Sequence, residues 1–161
     1  MTVPGLPTGP ALPAPAARHA DARVAAIVDY FERLSPAALD ELDHIYQRDA
    51  LFKDPFNEVE GLDAIRRIYA HMFVALRAPR FVVTDIAVDG ASCWLGWDFV
   101  FHSPRLGPGR QCIRGATLLH LGPDGRIARH RDYWDAAEEL YEKLPLLGAL
   151  LRWLRRRLAT P

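Results

Sequence analysis

Tyr30 and Asp54 bring together the two groups that enolisation needs. A phenol can donate a hydrogen bond to a developing oxyanion, and a carboxylate can take a proton from carbon. A second pair, His130 and Asp132, stands near the C-terminal end with alternating spacing. A histidine beside a carboxylate can exchange a proton near neutrality. Asp54 also precedes Pro55, and an Asp before a proline is a common turn-former, so a local structural role competes with a chemical one.

These side chains must be placed by the elements around them. Residues 1–18 hold five prolines, at positions 4, 7, 10, 13 and 15, and read as a disordered tail. Asp21 is placed to cap a helix running to Leu34, with Val24, Ile27, Val28, Phe31 and Leu34 at helical spacing. Ser35-Pro36 opens a second helix whose stripe is Leu39, Leu42, Ile45 and Tyr46. A short strand at 50–54 ends at Pro55, 56–61 reads as a loop, and a third helix spans about 62–76. After Pro79 the pattern turns from helical to alternating, with strands predicted at 80–89, 92–102, 110–121 and 126–134. Asp89-Gly90, the stretch 104–109 and Pro123-Asp124-Gly125 separate them. A helical tail from Asp135 to Leu158, interrupted at Pro145 and Gly148, closes the chain.

Helices followed by a strand meander give an α+β domain at 19–135 and a helical extension at 136–161. Strand alternation then sorts the faces. Leu95, Trp97, Phe99 and Phe101 share one face, as do Ile113, Gly115, Thr117 and Leu119. On the last strand His130, Asp132 and Trp134 oppose Arg129, Arg131 and Tyr133. Unpaired arginines are costly to bury, so the arginine face is the wet one and the His130–Asp132 pair points inward. A polar pair on an apolar face reads as a pocket.

Composition narrows the classes. With 161 residues, 50% of them hydrophobic, the chain can bury a sizeable core. Twenty basic residues balance twenty acidic ones, so no net field points to nucleic acid. Cys93 and Cys112 show no metal spacing, and no glycine-rich phosphate loop is present; neither a metal nor an organic cofactor is expected. The absence of a secretory signal or a membrane-spanning run points to a cytoplasmic protein.

From Tyr30 to Asp54-Pro55, through Tyr46-Gln-Arg-Asp-Ala, the sequence resembles ketosteroid isomerase and the wider SnoaL-like, nuclear transport factor 2-like superfamily. Gly61 before a helix carrying Tyr69, and Asp124-Gly125-Arg126-Ile127 leading to Tyr133-Trp134, extend the likeness over residues 22–135. The resemblance implies a cone-shaped, strongly curved antiparallel sheet with the N-terminal helices on its concave face. It makes Asp54 the general base and Tyr30 the oxyanion donor. It places Tyr69, Trp97, Phe99, Phe101, Ile113, Thr117 and Trp134 around a small apolar or polycyclic ligand. Thr117 stands where the isomerase has a protonated aspartic acid, and losing such a donor costs roughly 10²–10³ in rate. His130 and Asp132 replace apolar positions and move the site toward acid–base pairs of the kind SnoaL-like cyclases use. The resemblance also implies a homodimer joined through the outer sheet face.

Three readings follow. One is a cofactor-independent isomerase, cyclase or dehydratase that abstracts a proton next to a carbonyl. The second is a non-catalytic binder of a small apolar ligand, and the third a dimeric interaction module. Beyond Trp134, Leu147, Leu150, Leu151, Leu154 and Leu158 form a stripe, with Arg152, Arg155 and Arg156 mainly elsewhere. A helix packed on the body accounts for this more simply than one resting on a membrane surface.

Overall fold

A computed structural model describes residues 19–107, 109–141 and 145–158. The proline-rich segment 1–18, read above as a disordered tail, lies outside the described residues. Helix α1 covers Ala22–Glu32, and the Asp21 carboxylate caps it by accepting from the Arg23 amide. A 3-10 turn, Ala37–Glu41, runs into a single α-turn, α2, at Leu42–Ile45. Strands β1 (Tyr46–Lys53) and β2 (Glu58–Glu60) form a hairpin before helix α3, Leu62–Ala75. The meander follows: β3 (Arg77–Asp89), β4 (Ser92–His102), β5 (Arg110–Leu121) and β6 (Ile127–Tyr133). A one-turn helix α4 (Ala136–Glu139) and helix α5 (Pro145–Leu158) complete the chain.

The six strands form one open sheet in the order β2-β1-β6-β5-β4-β3. It is mixed rather than wholly antiparallel, because β1 lies parallel to β6, with Phe52 opposite His130. Alternation defines the two faces of each strand and carries no information about the direction of a distant partner, which is why this pairing escapes a reading of pattern alone.

Three boundaries also shift. The second helix is shorter than its stripe suggests, since Tyr46 already belongs to β1; Leu39, Leu42, Ile45 and Tyr46 are nonetheless all buried. The stretch expected as a loop contains β2, which pairs with β1 through Val59 and Phe52. Helix α5 starts at Pro145 and passes through Gly148 without a break, as a proline in a first helical turn allows.

Helices α1 and α3 cover one face of the sheet. Val24, Ile27, Tyr30 and Phe31 from α1, with Ile65 and Tyr69 from α3, pack against Phe52, Leu95, Trp97, Phe99, Phe101, Ile113 and Leu119 in one core. The other face carries Arg129, Arg131 and Tyr133, all exposed, as the placement of the arginines requires.

Candidate active site

Six side chains from five strands and helices meet in one hydrogen-bonded chain on the helix-covered face. The Trp97 indole N–H donates to Thr117 Oγ1 over 2.8 Å, and the Thr117 hydroxyl donates to Asp132 Oδ1. His130 Nε2 lies 2.9 Å from the same Oδ1. On the other side of the imidazole, Nδ1 is 2.7 Å from the Tyr46 hydroxyl, which is 3.0 Å from the Tyr69 hydroxyl.

Register explains the convergence. Thr117 faces Asp132 and Leu119 faces His130 across β5 and β6, while Trp97 sits opposite Gly115 on β4 and β5. A Cβ at Gly115 would stand 2.4 Å from the Trp97 ring. Only a glycine there lets the indole lie across β5 toward Thr117. His130 is 5% exposed, with the Phe52 ring 4.6 Å away and the Phe31 ring edge-on at 5.8 Å. Tyr46 and Tyr69 are both held well above their ordinary value of 10, first by burial. The nearby Tyr69 hydroxyl adds to the shift of Tyr46, and the Asp132 charge to that of Tyr69.

The donors can be assigned from the inventory of each group. An ionised carboxylate only accepts, so with neutral His130 the imidazole proton is on Nε2. Nδ1 then accepts from Tyr46, and Tyr46 accepts from Tyr69. Every proton in the chain points toward Asp132 Oδ1, and among the described residues no hydrogen bond reaches Oδ2. If His130 gains a proton, the tyrosine side reverses: Nδ1 donates to Tyr46, Tyr46 donates to Tyr69, and the Tyr69 hydroxyl is released to donate elsewhere. The arrangement thus offers a carboxylate oxygen as base and a phenol whose donor role follows the histidine.

Thr117, His130, Asp132, Trp97 and Tyr69 border a cavity of about 30 Å³ whose apolar walls include Phe31, Phe81, Val83 and Leu95. That volume holds about one water molecule. A larger recess of about 480 Å³ lies over β2, β1, β6 and β5, where Lys53, Glu58, Arg129, Arg131 and Tyr133 are among its lining residues. It is wide and mixed in charge, with no donor chain converging on one oxygen. The smaller cavity is therefore the better candidate.

The remaining candidate residues lie elsewhere. Tyr30 is fully buried, and its hydroxyl donates to the Ala38 carbonyl over 3.0 Å. Burial, with Glu41 adding, pushes it up to about 12. Asp54 Oδ1 accepts from the Phe56 and Asn57 amides at 2.7 and 2.6 Å, and both its oxygens accept from the Asn57 side-chain amide. Neither Tyr30 nor Asp54 borders the cavity. Phe99, Phe101 and Ile113 are buried in the core beside it, and Trp134 packs edge-on against Phe56 at 5.5 Å. Pattern reading passed over Tyr46, since it falls where a helical stripe ends and a strand begins. Phe81 and Val83 were legible as alternate positions on β3. Among the described residues no three His, Cys, Asp or Glu side chains gather as a metal site, and no helix is long and apolar enough to cross a membrane.

An α+β domain with helices on one face of an open mixed sheet, enclosing a polar chain in an apolar cavity, defines the class. Residues 27–130 match the SnoaL-like domain, and the chain belongs to that family. Among solved structures, a protein of ketosteroid isomerase-like fold from Catenulispora acidiphila, in complex with trimethylamine, aligns with a TM-score of 0.64 at 20% identity, over 78% of this chain and 95% of that one. An LEH-like epoxide hydrolase from M. tuberculosis aligns at 0.59 and 18% identity, over 83% and 93%. The epoxide hydrolase/cyclase-like enzyme SalBIII, with a role in pyran ring formation in salinomycin, aligns at 0.60 and 21%, over 70% and 90%. At these identities the likeness is one of fold. No curated protein matches this sequence.

Proposed function

We propose that the protein is a cofactor-independent acid–base enzyme acting on a small apolar molecule, with Asp132 rather than Asp54 as proton acceptor. The observation that carries this reading is the convergence of the Thr117 and His130 protons on one oxygen of Asp132. Fixed donors on Oδ1 orient the carboxylate so that Oδ2 can take a proton from carbon beside a carbonyl. The C–H electron pair then moves through the new C=C bond onto the carbonyl oxygen, where Tyr69 is the donor once protonation of His130 has released its hydroxyl from Tyr46. Return of the proton from Asp132 to a different carbon of an unsaturated ketone completes an isomerisation; in a β-hydroxy ketone the enolate electrons instead expel the hydroxyl, which takes that proton and leaves as water. Entry of a ring-sized substrate requires the cavity wall to open, since the cavity of about 30 Å³ otherwise admits about one water.

Proton abstraction can be read directly by NMR in deuterated water, as loss of the α-proton signals of small cyclic ketones. Exchange should exceed the buffer rate and fall by about 10²–10⁴ in Asp132→Asn. Exchange no faster than buffer, or unchanged by the substitution, would contradict the reading. Small apolar ligands that bind at this cavity equally well with Asp132→Asn, and are never turned over, would instead support a binding protein.

The outer sheet face favours a homodimer, for Leu51, Trp94 and Tyr133 remain exposed there. Light scattering on the intact protein and on Trp94→Ser tests this, with the variant expected to shift toward monomer. Cys93 and Cys112 form no disulfide, which suits a reducing, cytoplasmic setting.

A further inference from the structure

Much of the apolar surface described on α5 faces outward. Gly148 is buried and Leu151 half-buried, so these positions lie toward the body. Leu150, Trp153, Leu154 and Leu158 are exposed, at 53, 46, 41 and 85%. A helix added merely to extend the core would be turned the other way. Trp153 carries the Arg157 guanidinium over its ring at 4.8 Å, and Arg156 is exposed beside it.

Charge selects the occupant of this face. Residues 145–158 contain Arg152, Arg155, Arg156 and Arg157 and no Asp or Glu. Subtracting those four arginines from the chain's twenty basic residues leaves sixteen against twenty acidic ones elsewhere, so positive charge is concentrated at this end. Two copies of α5 packed together would bring arginine against arginine. An anionic lipid surface would instead receive the leucines and Trp153 below its headgroups while the guanidinium groups reach its phosphates. Fourteen residues give a helix of about 21 Å, which with four charges lies on a bilayer and does not span it. We propose that α5 docks the protein on anionic membrane surfaces. The helix follows the family domain at 27–130, so this surface is independent of the acid–base chemistry.

Sedimentation of the full chain with vesicles tests the proposal. It should bind phosphatidylcholine vesicles containing phosphatidylglycerol at low salt, release at high salt, and ignore phosphatidylcholine alone. Each arginine near such a surface strengthens binding about fivefold, so R156Q/R157Q should bind about 25-fold more weakly. L150S/L154S should lose more than tenfold through lost apolar burial. Both pairs are exposed, so unchanged thermal unfolding would show that the fold survives. Failure of the parent chain to bind, or binding undiminished in both variants, would overturn the proposal. So would a dimer that L150S/L154S dissolves while vesicles have no effect.

Discussion

At the scale of single residues, the carboxylates of Asp54 and Asp132 differ in what binds their oxygens. Asp54 spends its oxygens on the Phe56 and Asn57 amides of its own turn, whereas Asp132 keeps one oxygen outside the chain that orients it. Asp54→Asn should loosen that turn and leave α-proton exchange within a few-fold of the parent, measured beside Asp132→Asn. Tyr46 is the residue on which the chain turns. Tyr46→Phe leaves the buried His130 Nδ1 and the Tyr69 hydroxyl each without a partner, and should lower stability by about 1–3 kcal/mol in urea unfolding. The phenols also set an alkaline limit. Folding raises Tyr46 and Tyr69 well above 10 and Tyr30 to about 12. The folded state thus holds protons that the unfolded chain would release. The stability they contribute is complete below pH 10 and falls as the pH rises through the folded values. Thermal unfolding followed from pH 8 to 11 should show the midpoint dropping only above about 10.

At the scale of elements, strand faces were legible and strand partners were not. Turn signals at Asp89-Gly90 and Pro123-Asp124-Gly125 delimit strands that fall within a few residues of β3 to β6. Alternation groups Trp97 with Phe99 on β4 and His130 with Asp132 on β6, and the arginines on the opposite face of β6 turn the latter pair inward. The phenol of Tyr30 finds a carbonyl eight residues further along, and no spacing rule announces such a bond. Nor does any pattern reveal that β1 enters parallel to β6, the pairing that sets Phe52 opposite His130. The β4–β5 contact depends on a missing side chain. Gly115→Ala would overlap the Trp97 ring, and relief of such overpacking typically costs about 1–3 kcal/mol. Urea unfolding should report that loss, and a changed Trp97 indole resonance should report release of Thr117.

At the scale of the whole molecule, two regions divide the work. Residues 22–134, which contain the family match at 27–130, supply the core and the cavity, while α5 adds an outward apolar and cationic face. The helical stripe at 147–158 was visible in the sequence, but its orientation was not. Helical spacing is the same whether a stripe faces the body or the solvent, and only burial of Gly148 with exposure of Leu150 and Leu154 separates the two.

The protons of the buried chain converge on Asp132, and the tautomer of His130 reports this without a substrate. Correlation of the ring nitrogens with their protons by NMR should find the neutral imidazole of His130 protonated at Nε2, with Nδ1 as acceptor. Asp132→Ala, which leaves Nε2 without that acceptor, should remove that preference. A neutral ring carrying its proton on Nδ1 in the parent protein would contradict this, because His130 could then neither donate to Asp132 nor accept from Tyr46.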